Sequence, residues 1–188
     1  MKTYLIILTL LMTTMSFGQM NDADRILKQK RVIEEQIQLN QKDLIVFVKI
    51  KEESEPQRIT NENWPENVES TYNILKNNSG QVIYFAEFLK REHSEGVFEI
   101  KHFFDDKEQT LVIEIRLSFF SDDCGKGPIT ETLTDLYLNN FKRHGTLRQL
   151  RDDKNNPING SICSNPTKWP IDKKGTVQEL MTLKKIKT

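Results

Sequence analysis

The sequence predicts an α+β fold in which an antiparallel sheet of about five or six strands carries short helices from the N- and C-terminal segments. Two amphipathic segments with helical spacing stand near the two ends of the chain. Between them lie β-branched and aromatic runs, separated by short polar connections rich in Asp, Asn and Gly that are typical of antiparallel hairpins. We expect both helices to pack on the same face of the sheet.

The first predicted elements are a helix and a strand. Residues 21–42 predict a helix that Asn21 caps, with apolar residues on one face at Ile26, Ile33 and Ile37. Residues 43–53 then change to a β-branched run, which predicts a strand.

A polar stretch and a second short helix are expected next. Residues 51–66 are polar and aperiodic, which indicates a long surface loop. Trp64 and Pro65 begin a predicted helix that ends near Lys76, with one apolar side formed by Val68, Tyr72 and Leu75.

Apolar runs after residue 80 predict neighbouring strands. The segment QVIYFAEFLK is almost continuously apolar, as in a strand from the centre of a sheet. The runs GVFEIKHFF and LVIEIRLSFF follow, and a loop of residues 105–108 would place Phe98 opposite Ile115 and Ile100 opposite Ile113. A register shifted by one residue would set these apolar side chains against charged ones.

Residues 128–160 are compatible with either a helix or a hairpin. Several apolar side chains approximate helical spacing, whereas alternating threonines and the pair Asn139 and Asn140 favour two strands joined by a turn. We predict the hairpin. Residues 176–186 predict a terminal helix whose inward side chains are Val177, Leu180 and Met181.

Residues 1–18 have the pattern of a cleaved signal peptide. Lys2 precedes an apolar run from Tyr4 to Met12 that is too short to span a bilayer, and the small residue Gly18 suits a cleavage site. The sequence therefore predicts that residues 19–188 form one α+β domain in the periplasm or outside the cell. No membrane insertion is expected after cleavage.

The charge balance argues against a nucleic-acid partner. Lys and Arg number 27, as do Asp and Glu, so the formal net charge is zero, whereas nucleic-acid binding needs a concentrated basic surface. No cofactor motif is present, since CGKG lacks the glycine and the hydroxyl residue that a phosphate-binding loop requires. We predict no cofactor.

The two cysteines, Cys124 and Cys163, predict a disulfide, because an even number of cysteines in an exported chain usually pairs. Closing a loop of about 40 residues would stabilise the fold by about 4 kcal/mol in the chain-entropy model.

Asp pairs recur after apolar runs and form weak candidates for a metal site. They are Asp105 with Asp106 and Asp122 with Asp123, and a similar pair follows Arg151. None has the spacing of a known calcium loop. Turn chemistry, in which the carboxylate bonds the local backbone, is the preferred interpretation. A structural calcium-binding protein that uses these loops remains an alternative.

No catalytic residue is predicted, because the common serine-nucleophile and zinc-protease motifs are absent. A hydrolase that uses carboxylates or His102 at the end of the sheet is an alternative. The preferred hypothesis is an exported non-catalytic protein that binds a protein partner or a small ligand. Its candidate binding surface consists of Trp64, His102, Phe103 and Trp169.

Overall fold

In the described residues, eight strands form one antiparallel sheet, and a helix packs on each of its faces. The computed structural model describes residues 21–60, 64–90, 98–120, 127–159 and 171–187. The helices are α1 (Asp22–Leu39) and α2 (Val177–Lys184). The strands are β1 (Ile45–Ile50), β2 (Gln57–Ile59), β3 (Val68–Lys76), β4 (Val82–Leu89), β5 (Phe98–Phe104), β6 (Thr110–Phe119), β7 (Ile129–Leu138) and β8 (Lys142–Arg151). Short 3₁₀ turns cover Gln41–Asp43 and Asn139–Phe141.

The strand order is β2-β1-β3-β4-β5-β6-β7-β8, so β3 to β8 form a meander in which each strand pairs with the next along the chain. The antiparallel α+β class is therefore confirmed, but eight strands replace the predicted five or six. The additional strands are β2, inside the predicted loop, and β3, inside the second predicted helix.

The predicted helix at 64–76 is wrong. Val68, Tyr72 and Leu75 have helical spacing, but this spacing also fits a strand that is buried on both faces. Tyr72 and Ile74 pack on one face while Leu75 packs on the other. Pairing with β1 and β4 on either side satisfies the backbone and overrides the local pattern.

Helix α1 begins and packs as predicted. The Asn21 side chain accepts a hydrogen bond of 3.2 Å from the Ala23 backbone. Ile26 and Ile33 are buried against one face of the sheet, which we call the α1 face. Its apolar sheet residues include Leu75, Tyr84, Ala86, Phe103, Val112 and Leu136.

Helix α2 also begins and packs as predicted, with Thr176 accepting a hydrogen bond of 3.1 Å from the Glu179 backbone. Its buried residues contact a different set of sheet residues, on what we call the α2 face: Phe47, Tyr72, Ile74, Phe85 and Phe104. Tyr84 and Phe85 are consecutive in β4 and contact different helices. Because successive side chains of a strand point to opposite faces, the two helices cover opposite faces. The prediction that they share one face is wrong.

The register between β5 and β6 differs from the prediction by two residues. Phe98 lies opposite Leu117 and Ile100 lies opposite Ile115. The register shifts at Phe103 and Phe104, so the β6 strand carries an extra residue in a bulge that the sequence pattern did not reveal. A displacement of two residues keeps every side chain on its predicted face, which explains why hydrophobic alternation could not exclude it.

The hairpin predicted within residues 128–160 is confirmed by β7 and β8. Asn140, in the turn between them, has a φ of 63°, a conformation that asparagine tolerates better than most residues. None of the helices in the described segments is both long and apolar enough to cross a bilayer. The predicted signal peptide lies outside the described residues and stays a prediction.

Candidate interaction surface

The two edges of the sheet differ in length. On one side the sheet ends in β2, which has three residues. On the other side it ends in β8, which has ten. An edge strand presents backbone N–H and C=O groups that no neighbouring strand satisfies, and short edge strands limit this exposure. In the described part of the sheet, only the β8 edge is therefore long enough to receive a further strand.

Most of β8 is exposed on both faces. From Lys142 to Gln149 every residue is exposed except the partly buried Gly145, and even Leu147 is 45% exposed. The strand becomes buried only at Leu150, which packs on Ile129. β8 is thus held by its pairing with β7 rather than by a covering layer of side chains.

The direction of the backbone groups in β8 follows from one hydrogen bond. Ile158 donates its backbone N–H to the Leu150 carbonyl over 2.9 Å, so Leu150 directs its backbone groups away from β7. The two-residue period of an antiparallel strand gives Thr146 the same outward direction. Residues 157–159 thus cover the C-terminal end of β8. Lys142–Leu147, which we call the free edge, has no such cover from the described part of the chain.

The N-terminal end of β8 is anchored to the α2 face. Thr146 donates a hydrogen bond to the buried Asp135 carboxylate, and Lys173 binds the same carboxylate at 2.6 Å. Burial acts to raise the pKa of Asp135, but these hydrogen bonds and the positive charges of Lys173 and Arg143 hold this pKa below its usual range. Tyr137 stacks on Phe141 with ring centroids 4.4 Å apart. The free edge is therefore a fixed strand.

The free edge is basic. Lys142, Arg143 and His144 stand side by side, and β8 as a whole contains no acidic residue. Among the described residues, no carboxylate forms an ion pair with Lys142 or Arg143. Further along the strand, Arg148 binds the buried Glu131 carboxylate at 2.5 Å.

The predicted binding surface is not brought together. His102 is 2% exposed and Phe103 is 1% exposed, and as consecutive residues of β5 they lie on opposite faces. Trp64 is 55% exposed beside an open hollow of about 820 Å³ that Thr71 and Phe88 also line. Trp169 lies outside the described residues. Of the described members, only Trp64 can meet a ligand at the surface.

His102 is buried between aromatic rings on the α2 face. It stacks on Phe104 with ring centroids 6.1 Å apart and meets Phe85 edge-on at 6.2 Å. Neither ring nitrogen completes a hydrogen bond within the described structure, although the backbone of Asp172 lies near enough to favour the charged form. Burial, reinforced by the Lys184 charge, lowers the pKa of His102 to about 3. The side chain is neutral at physiological pH and has no contact with solvent.

Two aspartates of the predicted metal-binding candidates, Asp105 and Asp152, take part in turns. The Asp105 carboxylate accepts backbone hydrogen bonds from Lys107 and Gln109, at 2.9 and 2.8 Å. Asp152 accepts equivalent bonds within its own turn, so the turn interpretation is confirmed for both residues. The side chain of Asp106 is exposed. Asp122 and Asp123 lie outside the described residues. Within the described ranges, no three metal-binding side chains form a cluster.

Buried carboxylates in the described segments are bound by cations. Glu87 lies 2.7 Å from Lys184, and Glu99 lies 3.1 Å from Lys101. Similar pairs join Glu114 to Lys30, Glu131 to Arg148 and Asp135 to Lys173. A buried charge is tolerated when an opposite charge compensates it. These carboxylates therefore belong to structural ion pairs within the sheet and between the sheet and its helices. Cys124 and Cys163 lie outside the described residues, so their disulfide stays a prediction.

The sequence analysis did not identify the free edge. The signal was present in KRHGTLRQLR, which lacks the apolar alternation of a strand with a buried face and contains no acidic residue. Edge position, however, depends on which strands pair, and this is not a local property of the sequence. Comparison of the chain with protein family models, with curated proteins and with solved structures found no match.

Proposed function

We propose that the chain is an exported, non-catalytic binding protein that adds an extended segment of a partner protein to the sheet at β8. The observation that carries this proposal is the exposure of the free edge, Lys142–Leu147, at the end of a sheet whose other edge is only three residues long. The predicted export signal supports a periplasmic or secreted location.

Strand addition uses chemistry that the free edge already presents. The backbone of the incoming segment forms the hydrogen bonds that β8 lacks on its outer side, and alternate side chains of the segment contact the two faces of the edge. Pairing with β7 from Lys142 to Arg151 keeps β8 in position before the partner arrives, which lowers the entropic cost of binding.

The described residues favour binding over the two alternatives. A hydrolase needs a carboxylate or an imidazole that reaches a substrate, whereas His102 is buried and the buried carboxylates bind lysine or arginine. A calcium protein needs several oxygen ligands that converge on one point. The Asp105 and Asp152 carboxylates instead bind the backbone of their own turns.

A peptide-display selection with paired variants tests the proposal. Random extended peptides are selected on the purified wild-type protein, and enriched peptides are then titrated against Thr146→Pro and Thr146→Val. Proline removes the outward backbone N–H, which an edge strand tolerates when that N–H faces solvent. Valine removes only the hydroxyl group that binds Asp135. Thermal unfolding of both variants is measured first, to establish that they are folded before their peptide binding is compared.

We expect the enriched peptides to bind wild-type protein and Thr146→Val with similar affinity and to bind Thr146→Pro about tenfold more weakly, the cost of one lost backbone hydrogen bond. If the selection enriches no peptide, or if the enriched peptides bind both variants equally, β8 is not the binding surface and the proposal fails.

A further inference from the structure

The positive charge of the free edge restricts which partner segments can bind there. This inference about the partner rests on the proposed function. Lys142 is paired with Leu138 and Arg143 with Tyr137 across the β7–β8 ladder. Leu138 packs with the α1 face and Tyr137 with the apolar cluster on the opposite face, so the two cations project on opposite sides of the sheet. A strand added at this edge would meet a positive charge on each of its own faces.

Neither Lys142 nor Arg143 forms a salt bridge within the described part of the chain, although Arg143 is near enough to Asp135 to help lower the pKa of that carboxyl. Salt bridges in this region use Arg148 and Lys173 to compensate Glu131 and Asp135. Cross-strand pairs of opposite charge stabilise a sheet, and like charges opposed across two strands destabilise it. An incoming segment with carboxylates at consecutive positions, which project on opposite faces of a strand, would therefore pair favourably on both sides of the edge.

A second copy of this chain is a poor occupant. Pairing two β8 strands would bring Lys142 and Arg143 of both copies into one ribbon, with no acidic residue in either strand. The basic edge therefore disfavours self-association while it remains open to a segment of opposite charge.

We propose that the partner segment is an acidic extended peptide, with Asp or Glu next to Lys142 on one side of the sheet and next to Arg143 on the other. Backbone hydrogen bonds supply part of the affinity in this arrangement. The carboxylates select the segment and accelerate its association.

The test compares two synthetic peptides that differ only in charge. Both contain consecutive pairs of a third residue type separated by Thr and Val, so that each pair presents one side chain on each face of the strand. This residue is Glu in one peptide and Gln in the other, and both peptides carry a fluorophore for anisotropy titration. We expect the Glu peptide to bind about three- to tenfold more tightly than the Gln peptide at low salt. This difference should shrink as the salt concentration rises, because exposed ion pairs are screened.

Reversing the charges of Lys142 and Arg143 tests whether the preference for the Glu peptide arises at the free edge. The double variant Lys142→Glu/Arg143→Glu should bind the Glu peptide about tenfold more weakly than wild type does. The control Lys28→Glu/Arg31→Glu makes the same change in net charge on exposed positions of α1, and it should leave binding unchanged. Equal losses in the two double variants would mean that overall charge acts rather than the free edge, and the inference would be overturned.

The remaining outcomes separate this inference from the proposed function. If both peptides bind equally and Thr146→Pro abolishes binding, strand addition stands and the acidic partner is excluded. If neither peptide binds, both proposals fail. Sedimentation of the protein alone provides the last comparison, since a dimer that Thr146→Pro dissociates would identify a second copy as the occupant and overturn the acidic partner. A monomer in both cases is the expected result.

Discussion

Acid should destabilise this protein through one buried side chain, His102. The imidazole lies between Phe85 and Phe104. Lys184 at the end of α2 and Lys173 before it add positive charge near the ring, and Asp172 opposes them. Burial lowers the pKa of His102 from the ordinary value of 6.5 for histidine to about 3. Folding therefore requires an imidazole that remains neutral.

The sign and size of the effect follow from proton linkage. Because the folded pKa lies below the unfolded one, the stability is fully present above pH 6.5 and declines as the pH falls towards 3. In that window the unfolded chain binds a proton that the folded chain excludes, and each pH unit costs about 1.4 kcal/mol. The loss is about 2 kcal/mol at pH 5 and about 5 kcal/mol when the window has been crossed.

Urea unfolding of wild type and of His102→Leu at pH 7, 6 and 5 measures this contribution. Leucine has nearly the volume of histidine and removes two ring nitrogens that complete no hydrogen bond in the described structure. We expect the wild-type free energy of unfolding to fall by about 2 kcal/mol more than that of the variant between pH 7 and pH 5. All carboxylates are common to both proteins, so comparing the two slopes isolates His102.

His144→Gln provides the matched control, because it removes a histidine from an exposed position and should keep the wild-type slope. If His102→Leu and wild type respond to pH identically, the imidazole is protonated without cost in the folded protein. The account of His102 as a neutral core residue would then be wrong.

Two further substitutions test the interior. Lys184→Met should lower the free energy of unfolding by about 3 kcal/mol, because it leaves the buried Glu87 carboxylate without its cation, whereas Lys187→Met, at an exposed ion pair, should leave unfolding unchanged. Equal effects would show that burial of the first pair has no energetic consequence. Ile26→Ala should cost about 3 kcal/mol in chemical denaturation because Ile26 is fully buried under α1, and the half-exposed Val32→Ala should cost far less. A small effect at Ile26 would mean that α1 is not firmly docked.

Local signals predicted the elements at both chain ends and in the meander. Asn21 and Thr176 mark helix starts through side-chain hydrogen bonds that need no distant partner. The alternation of apolar and polar residues in β6 predicted which of its side chains lie on each face of the sheet. The pair Asn139 and Asn140 indicated the β7–β8 turn. In each case the interaction that decides the structure lies within a few residues along the chain.

Non-local interactions account for the errors. The spacing of Val68, Tyr72 and Leu75 could not reveal that β3 is buried on both faces between β1 and β4. A connection one residue longer than predicted and the bulge near Phe104 together moved the register by two residues without changing any face. The candidate surface failed for the same reason, because the order of the strands decides that Phe103 is covered by α1 and that β8 is an edge.

The position of α1 has a consequence for the order in which the chain can acquire its structure. Ile26 and Ile33 belong to the first described helix, yet the surface that buries them includes Val112 and Leu136 of β6 and β7. When the chain is synthesised from its N-terminus, α1 is therefore made long before the sheet residues on which it packs. An isolated helix with a narrow apolar stripe is marginal in water, so α1 should stay undocked until β7 has formed. The α1 face is then covered only when α1 contacts β7. In a chain that ends before β7, we expect α1 to stay undocked and the apolar residues of the α1 face to stay exposed.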